Sequence, residues 1–281
     1  MRAAAARGDP VAAIDTPALV IDLDAMQRNL TRMAEFARGR GLRLRPHAKM
    51  HKSAAIARLQ IQAGAVGVCV QKTSEAEVLA DLGVGDIFIS NEVVDAAKLR
   101  RVAELATRVR LAIAVDSALG VDRLAAALKH TGARMDVLVE IDVGQGRCGV
   151  APAAAGALAQ QVVSHGLVFA GLQAYHGRAQ HLHTAAEREA AIHHAATLAR
   201  AAQAAVGAAG IGCPLITGAG TGSFWFEAAS GVYGELQPGS YLFMDRDYAD
   251  NEPTPGAPQY EQALFVKSQV MSRGYSHAVI D

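Results

Sequence analysis

Aromatic side chains are scarce. Phe, Trp and Tyr supply only 5% of the 281 residues, against 51% hydrophobic overall. A core for a chain of this length must therefore be aliphatic and rich in alanine. The length suits one large α/β domain, with room for a small companion. Net charge is also lacking, since 27 Lys and Arg balance 27 Asp and Glu. That removes the one-signed field on which binding to nucleic acid or an anionic membrane relies. Cysteine is rare: Cys69, Cys148 and Cys213 are an odd number without CxxC spacing, which excludes a disulfide framework and favours a reducing compartment. No window approaches about eighteen apolar residues free of charge, so no membrane span is expected. The opening MRAAAARGDPVAA has an arginine and an alanine run but no leucine-rich leader segment. Residues 1–14 read as the loose tail of a cytoplasmic protein.

What the chain has in abundance is alternation. Residues 16–23 (TPALVIDL) read as a short strand, and Asp24 then caps a helix to about Arg38 with Met26, Leu30, Met33 and Ala37 at helical spacing. Strand-like runs follow at 42–45, 66–70, 86–90, 110–116, 135–142, 167–175 and 214–217, with a last one inside 233–245. Ala-rich helical patterns lie between them at 54–63, 74–82, 96–106, 118–130, 151–164 and 184–208. Strict alternation with apolar strands means a parallel sheet covered on both faces. About eight units favour a closed (β/α)8 barrel over an open sheet. The expected architecture is this barrel over residues 15–246. After it, 247–281 form a linker and the first strands of a small C-terminal β-domain that breaks off at HAVID.

In a barrel the C-terminal ends of the strands face the active site. That rule selects His47, Lys49, Gln71, Asn91, Asp116, Asp142, Arg147, Tyr175, His176 and residues 218–223. Lys49 leads the list because RLRPHAKMHKS surrounds it with His47, His51 and Lys52. Burial near cations lowers an amine pKa and makes it a nucleophile toward a carbonyl; the ordinary alternative is a solvated lysine. TGAGTGS (217–223) suits backbone N–H groups cradling a phosphate, or a flexible turn. QPGSY (237–241) offers a second arm at Gly239. DVGQGRCG (142–149) presents Arg147, able to hold a phenolate or carboxylate, or to pair with Glu140 or Asp142. QKTSEAE (71–77) reads as a helix start with Ser74 as cap and Glu77 at N3. His176, His181, His183, His193 and His194 form no HExxH pattern, although a metal hydrolase using the first three is a rival reading.

A lysine, a phosphate cradle and an arginine in one barrel mouth are the parts of a pyridoxal 5′-phosphate site. The segments RPHAKMHKS, VEIDVGQGRCGV, TGAGTGS and ELQPGSYLFMD resemble the alanine-racemase-type barrel enzymes. Within that group they are most similar to the D-threonine aldolase and 3-hydroxy-D-aspartate aldolase family. The resemblance runs from about Thr16 to Asp281. It implies that Lys49 bonds the cofactor aldehyde and that Arg147 faces its phenolic oxygen. Gly220, Thr221, Gly222, Gly239 and Ser240 or Tyr241 would hold the phosphate, and Gln71, Gln173 and Tyr175 would line ring and substrate. His47 is the implied proton carrier. Gln237 stands where the racemases place an arginine on the pyridine nitrogen, so the chemistry departs from racemisation. The implied reaction is retro-aldol cleavage of a β-hydroxy-D-amino acid to glycine and an aldehyde: glyoxylate from 3-hydroxy-D-aspartate, or acetaldehyde from D-threonine. The implied partners are that substrate and a second copy in a homodimer. A divalent metal of the Mg, Mn, Co or Zn type is implied as well, its ligands expected beyond HAVID and none of them in this chain. The alternatives are a D-serine or 3-hydroxyaspartate dehydratase on the same barrel, or a non-catalytic barrel for pyridoxal phosphate homeostasis.

Overall fold

A computed structural model describes residues 5–281; the first four residues of the expected tail lie outside the described residues. Strand β1 (Ala18–Ile21) leads into α1 (Leu23–Gly39), whose cap is Asp22, with Oδ1 accepting from the N–H of Ala25 at 2.9 Å. The cap thus sits two residues ahead of Asp24. The repeating units follow as β2 (Arg43–Leu44), α2 (Ala54–Gln62), β3 (Val68–Val70), α3 (Thr73–Asp81), β4 (Asp86–Glu92), α4 (Ala96–Leu105), β5 (Arg110–Val115) and α5 (Ala118–Thr131). They continue as β6 (Asp136–Glu140), α6 (Ala155–Ser164), β7 (Val168–Gln173), α7 (Ala185–Ala208), β8 (Ile216–Gly218), α8 (Phe224–Ala229) and β9 (Glu235–Leu236). A short α9 (Arg246–Ala249) precedes three final strands: β10 (Leu264–Lys267), β11 (Val270–Arg273) and β12 (Ala278–Ile280).

Eight strands, β2 to β9, pair in parallel in the order β2-β9-β8-β7-β6-β5-β4-β3. The ends meet. The N–H of Val66 donates to the Leu44 carbonyl and that of Cys69 to the Pro46 carbonyl, both at 2.9 Å, and His47 bridges Cys69 in parallel. The sheet is therefore closed into the expected barrel. Strand β1 stays outside this ring and pairs antiparallel with β10, so the N-terminal strand packs with the C-terminal segment. The capping box of α3 also lies earlier than expected. Glu75, not Glu77, accepts from the N–H groups of Gln71 and Lys72 at 2.9 and 3.2 Å. Among the described residues no helix is long and apolar enough to cross a membrane.

Strand alternation decides which side chains see the barrel interior. Ile87 and Ile89 of β4 pack outward with Leu79 and Leu99, whereas Phe88 lies inside with Cys69, Ala114 and Leu138. The interior is filled by few bulky groups, and the lower end is charged. Arg45, 5% exposed, reaches the carboxylate of Glu235 at 3.2 Å and Oδ1 of Asp86 at 2.5 Å. Glu235, 1% exposed, also accepts the Thr217 hydroxyl at 3.0 Å. Asn29 ties α1 to the C-terminal segment, donating to the carbonyls of Leu242 and Glu261 and accepting the N–H of Glu261.

Candidate active site

Lys49 sits on a single helical turn (Ala48–Met50) directly past β2, where the chain enters the upper mouth of the barrel. Its side chain is open to the cleft, yet the surrounding walls strip enough water from the amine to lower its pKa, and Arg147 adds repulsion. Lys49 Nζ and the Arg147 guanidinium face the same ring, that of Tyr175, at 5.9 and 6.0 Å from its centre. The cationic crowd expected around Lys49 is smaller than the sequence implies. Burial drives His47 well below the usual histidine range and His51 to about 4, so both are neutral at pH 7. Lys52 points outward and pairs with Glu75 at 3.4 Å. Arg147 is the cation that acts on the amine.

His47 is held on two sides. Nδ1 accepts the N–H of Lys49 at 3.3 Å, and Nε2 lies 3.2 Å from the Ser90 hydroxyl. Across the cleft Gln173 and Gln237, both almost fully buried, form an amide pair. Gln237 Nε2 donates to Gln173 Oε1 at 2.8 Å and to the Thr217 hydroxyl at 2.6 Å. The Thr217 hydroxyl in turn donates to Glu235. One continuous hydrogen-bonded file thus runs from the barrel floor to the site.

The glycine loop after β8 is pinned from beneath by Gln180, a fully buried residue. Gln180 Oε1 accepts the N–H of Gly222 at 2.8 Å, and Nε2 donates to the Ser223 hydroxyl at 2.6 Å and to the His176 carbonyl at 3.1 Å. A Cβ on Gly220 would fall 2.4 Å from Gln180 Oε1, and one on Gly239 3.0 Å from the His47 carbonyl. The Ser223 hydroxyl donates to Glu227 Oε1 at 2.8 Å.

Glu227 is 1% exposed, and burial pushes its pKa up to about 8. The folded state therefore keeps a proton that the unfolded chain releases near its ordinary carboxyl value. Between about pH 4.3 and 8 this costs the native protein stability, increasingly as pH rises. We expect Glu227→Gln to match the native chain below pH 4.3 and to gain on it steadily up to about pH 8, as read by urea unfolding at several pH values. Parallel curves would show that Glu227 ionises freely in the fold.

The cleft is lined by His47, Lys49, Gln71, Arg147, Gln173, Tyr175, Gly220, Thr221, Gln237, Gly239 and Ser240. Asn91, Asp116, Asp142 and His176, selected by strand position, do not line it, and of the residues expected to hold the cofactor two stand apart from it. Gly222 lies on the outer side of its loop, and the Tyr241 ring is buried in the core with its hydroxyl on Gln60 at 3.1 Å; only its N–H, on the Thr221 hydroxyl, serves the loop. Three lining residues were not expected: Met50, Ser90 and Tyr248. Ser90, not Asn91, ends the inward face of β4, which strict alternation from Phe88 does indicate. Tyr248 comes from the Pro- and Asp-rich segment, which has no such signal. Beside Arg147, Glu92, Glu140 and Cys148 converge, each offering a ligand-type atom within 4.8 Å of the others. Burial and the neighbouring Glu92 push Glu140 up to about 9. The histidines do not gather in this way: among the described residues that cluster contains none of them. His176 is buried, while His181 pairs with Asp247 at 2.6 Å on the surface.

A family model described as the N-terminal domain of alanine racemase matches residues 21–247. A D-threonine aldolase from an Arthrobacter species is 48% identical over 275 residues, 97% of this chain and 72% of that protein. A 3-hydroxy-D-aspartate aldolase from Paracoccus denitrificans is 40% identical over 277 residues, 95% of this chain and 72% of that one. The crystal structure of a D-threonine aldolase from Filomicrobium marinum superposes with a TM-score of 0.95 at 49% identity, covering 100% of this chain and 76% of the other. A D-threo-3-hydroxyaspartate dehydratase from Delftia superposes at 0.85 with 29% identity.

Proposed function

We propose, for a chain that belongs to the alanine racemase N-terminal domain family, retro-aldol cleavage of a β-hydroxy-D-amino acid to glycine and an aldehyde, with pyridoxal 5′-phosphate as cofactor. The observation that carries this reading is the placement of Lys49 and Arg147 on one ring, opposite backbone loops where a Cβ at Gly220 or Gly239 would press on Gln180 or His47. The residues fit the cofactor. A lysine of lowered pKa has a free electron pair for an aldehyde. The guanidinium suits a phenolate. The bare loops suit a phosphate approached by N–H groups. When bound, pyridoxal phosphate supplies a sink for the electron pair set free as the Cα–Cβ bond breaks.

The chain's own residues do the rest. Lys49 would bond the aldehyde carbon and yield it to the substrate amine. Arg147 would hold the phenolic oxygen. Gly220, Thr221, Gly239 and Ser240 would take the phosphate, with the N–H of Tyr241 fixing the Thr221 hydroxyl. Gln71 and Tyr175 would line ring and substrate. Gln237 has both its amide hydrogens committed, to Gln173 and Thr217, and its oxygen accepts from Gln173 at 3.3 Å, so what it would offer a ring nitrogen is the remaining lone pair of that oxygen. An acceptor there favours a protonated nitrogen and a stronger sink than an arginine would allow. His47, neutral and steadied by Ser90, would carry a proton at Nε2. A divalent metal would polarise the β-hydroxyl; we assign it no ligand here. We take residues 15–246 as the catalytic barrel, 247–281 as part of a β-domain, and a cytoplasmic homodimer as the working form.

The test is product analysis with D-threonine and 3-hydroxy-D-aspartate in the presence of pyridoxal phosphate and manganese. Glycine with acetaldehyde or glyoxylate is expected. Ammonia with a keto acid would mean a dehydratase, and cofactor binding without turnover a non-catalytic barrel. A smaller prediction concerns the cradle. Gly220→Ala should weaken pyridoxal phosphate binding about tenfold, the ~1.4 kcal/mol expected when a tightly packed wall must shift. Fluorescence titration reads it, and unchanged affinity would remove Gly220 from the cradle.

A further inference from the structure

Glu140 ends β6, and Glu92 ends β4. The loop after β6 folds back through positive-φ glycines at 144, 146 and 149, bringing Cys148 against both carboxylates. Glu140 is 4% exposed, yet its Oε2 has no hydrogen-bond partner, and the buried Oε1 of Glu92 has none either. Arg147 relieves them only in part, its nearest nitrogen being 3.9 Å from Glu140 Oε1. Two buried carboxyl groups this close cannot both stay ionised: either one keeps a proton or a cation takes its place.

We propose that Glu92, Glu140 and Cys148 form a binding site for one divalent cation of the zinc type, behind Arg147 and separate from the cofactor cleft. The donor set selects the ion. Two carboxylates alone would suit magnesium or calcium, whereas a thiolate among them favours zinc, cobalt or another borderline metal. The span is right as well. Tetrahedral zinc with oxygens at about 2.1 Å and sulfur at about 2.3 Å sets its ligands roughly 3.4–3.6 Å apart. Ligand atoms already within 4.8 Å reach that by small movements of a glycine-rich loop. The site does not depend on the lyase reading, because no group in it is needed to hold pyridoxal phosphate.

Cobalt(II) titration of the chelator-stripped chain without pyridoxal phosphate tests this. A thiolate-to-cobalt charge-transfer band should grow and saturate stoichiometrically. It should vanish in Cys148→Ser and persist in Cys213→Ala. Glu140→Gln should weaken cobalt binding at least about tenfold, with circular dichroism confirming the fold. If Glu140→Gln does not fold, Glu92→Gln, at the less buried carboxylate, replaces it. No band in the native chain would mean that the carboxylates share a proton instead and would overturn the site. A band surviving in Cys148→Ser would do the same.

Discussion

Lys49→Ala should lose covalent retention of pyridoxal phosphate and at least about 10³-fold in turnover, more than ~4 kcal/mol of transition-state stabilisation. The physical ground is local. Lys49 is the lysine that lines the cleft, and desolvation together with Arg147 holds its amine below the usual lysine pKa. Its neutral form is therefore more abundant at pH 7 than that of a surface lysine, and the neutral form is the nucleophile. Lys49→Arg should be no better than alanine, because a guanidinium stays protonated and cannot condense with an aldehyde. Lys52→Ala is the control. Three residues away, that side chain faces outward onto Glu75 and should leave turnover within about twofold, as expected for an exposed pair. Borohydride reduction followed by peptide mass reads the result. A pyridoxyl group on the peptide containing Lys49, absent from the alanine variant, is expected. The group on any other lysine would end the assignment.

The reading of RLRPHAKMHKS shows where sequence reasoning works and where it stops. Alternation placed Lys49 beyond the strand, and the barrel rule put it in the mouth. What alternation could not show is that the positive charge around it is divided among three environments. Arg45 points down into the barrel and is neutralised by Glu235 and Asp86, residues 190 and 41 positions away. His47 and His51 are discharged by burial, and Lys52 leaves for the surface. Pairing over such separations is a property of ring closure and leaves no local trace. The same holds for Gln180, which supports the glycine loop from a segment read only as histidine-rich. It holds also for Glu92, Glu140 and Cys148, which meet only once the ring sets β4 and β6 on either side of β5. Motifs fixed by backbone geometry, such as the glycines at 220 and 239, were legible because a missing Cβ is itself a sequence signal. Tyr241 misled for the same reason: its neighbours in QPGSY serve through backbone atoms, so the identity of the side chain says nothing about where the ring points.

Glu235→Leu should cost about 3–5 kcal/mol, the usual penalty for stripping one partner from a buried ion pair. Arg45 would keep Asp86, but its Nε would face apolar surroundings, and the Thr217 hydroxyl would lose its acceptor. For a protein with a net stability of roughly 5–15 kcal/mol that is a large fraction, and urea unfolding would register it as a fall in midpoint with little change in slope. Glu235→Gln separates the two contributions. The amide oxygen still accepts from Thr217, so the file through Gln237 to Gln173 survives, and only the charge opposite Arg45 and Arg43 is lost. Glu235→Gln should therefore be destabilised like the leucine variant yet bind pyridoxal phosphate normally, whereas Glu235→Leu should show weaker binding in whatever fraction remains folded. The pair itself is tested by adding Arg45→Met to Glu235→Leu. Two apolar groups of similar volume fill the floor, and the charges that lose a partner, Arg43 and Asp86, both reach water, so the double variant should recover much of the stability lost by Glu235→Leu alone, a coupling of at least about 2 kcal/mol. Strict additivity would mean that Asp86 and the other floor charges, not Glu235, hold Arg45, and that the file above it is anchored at Thr217.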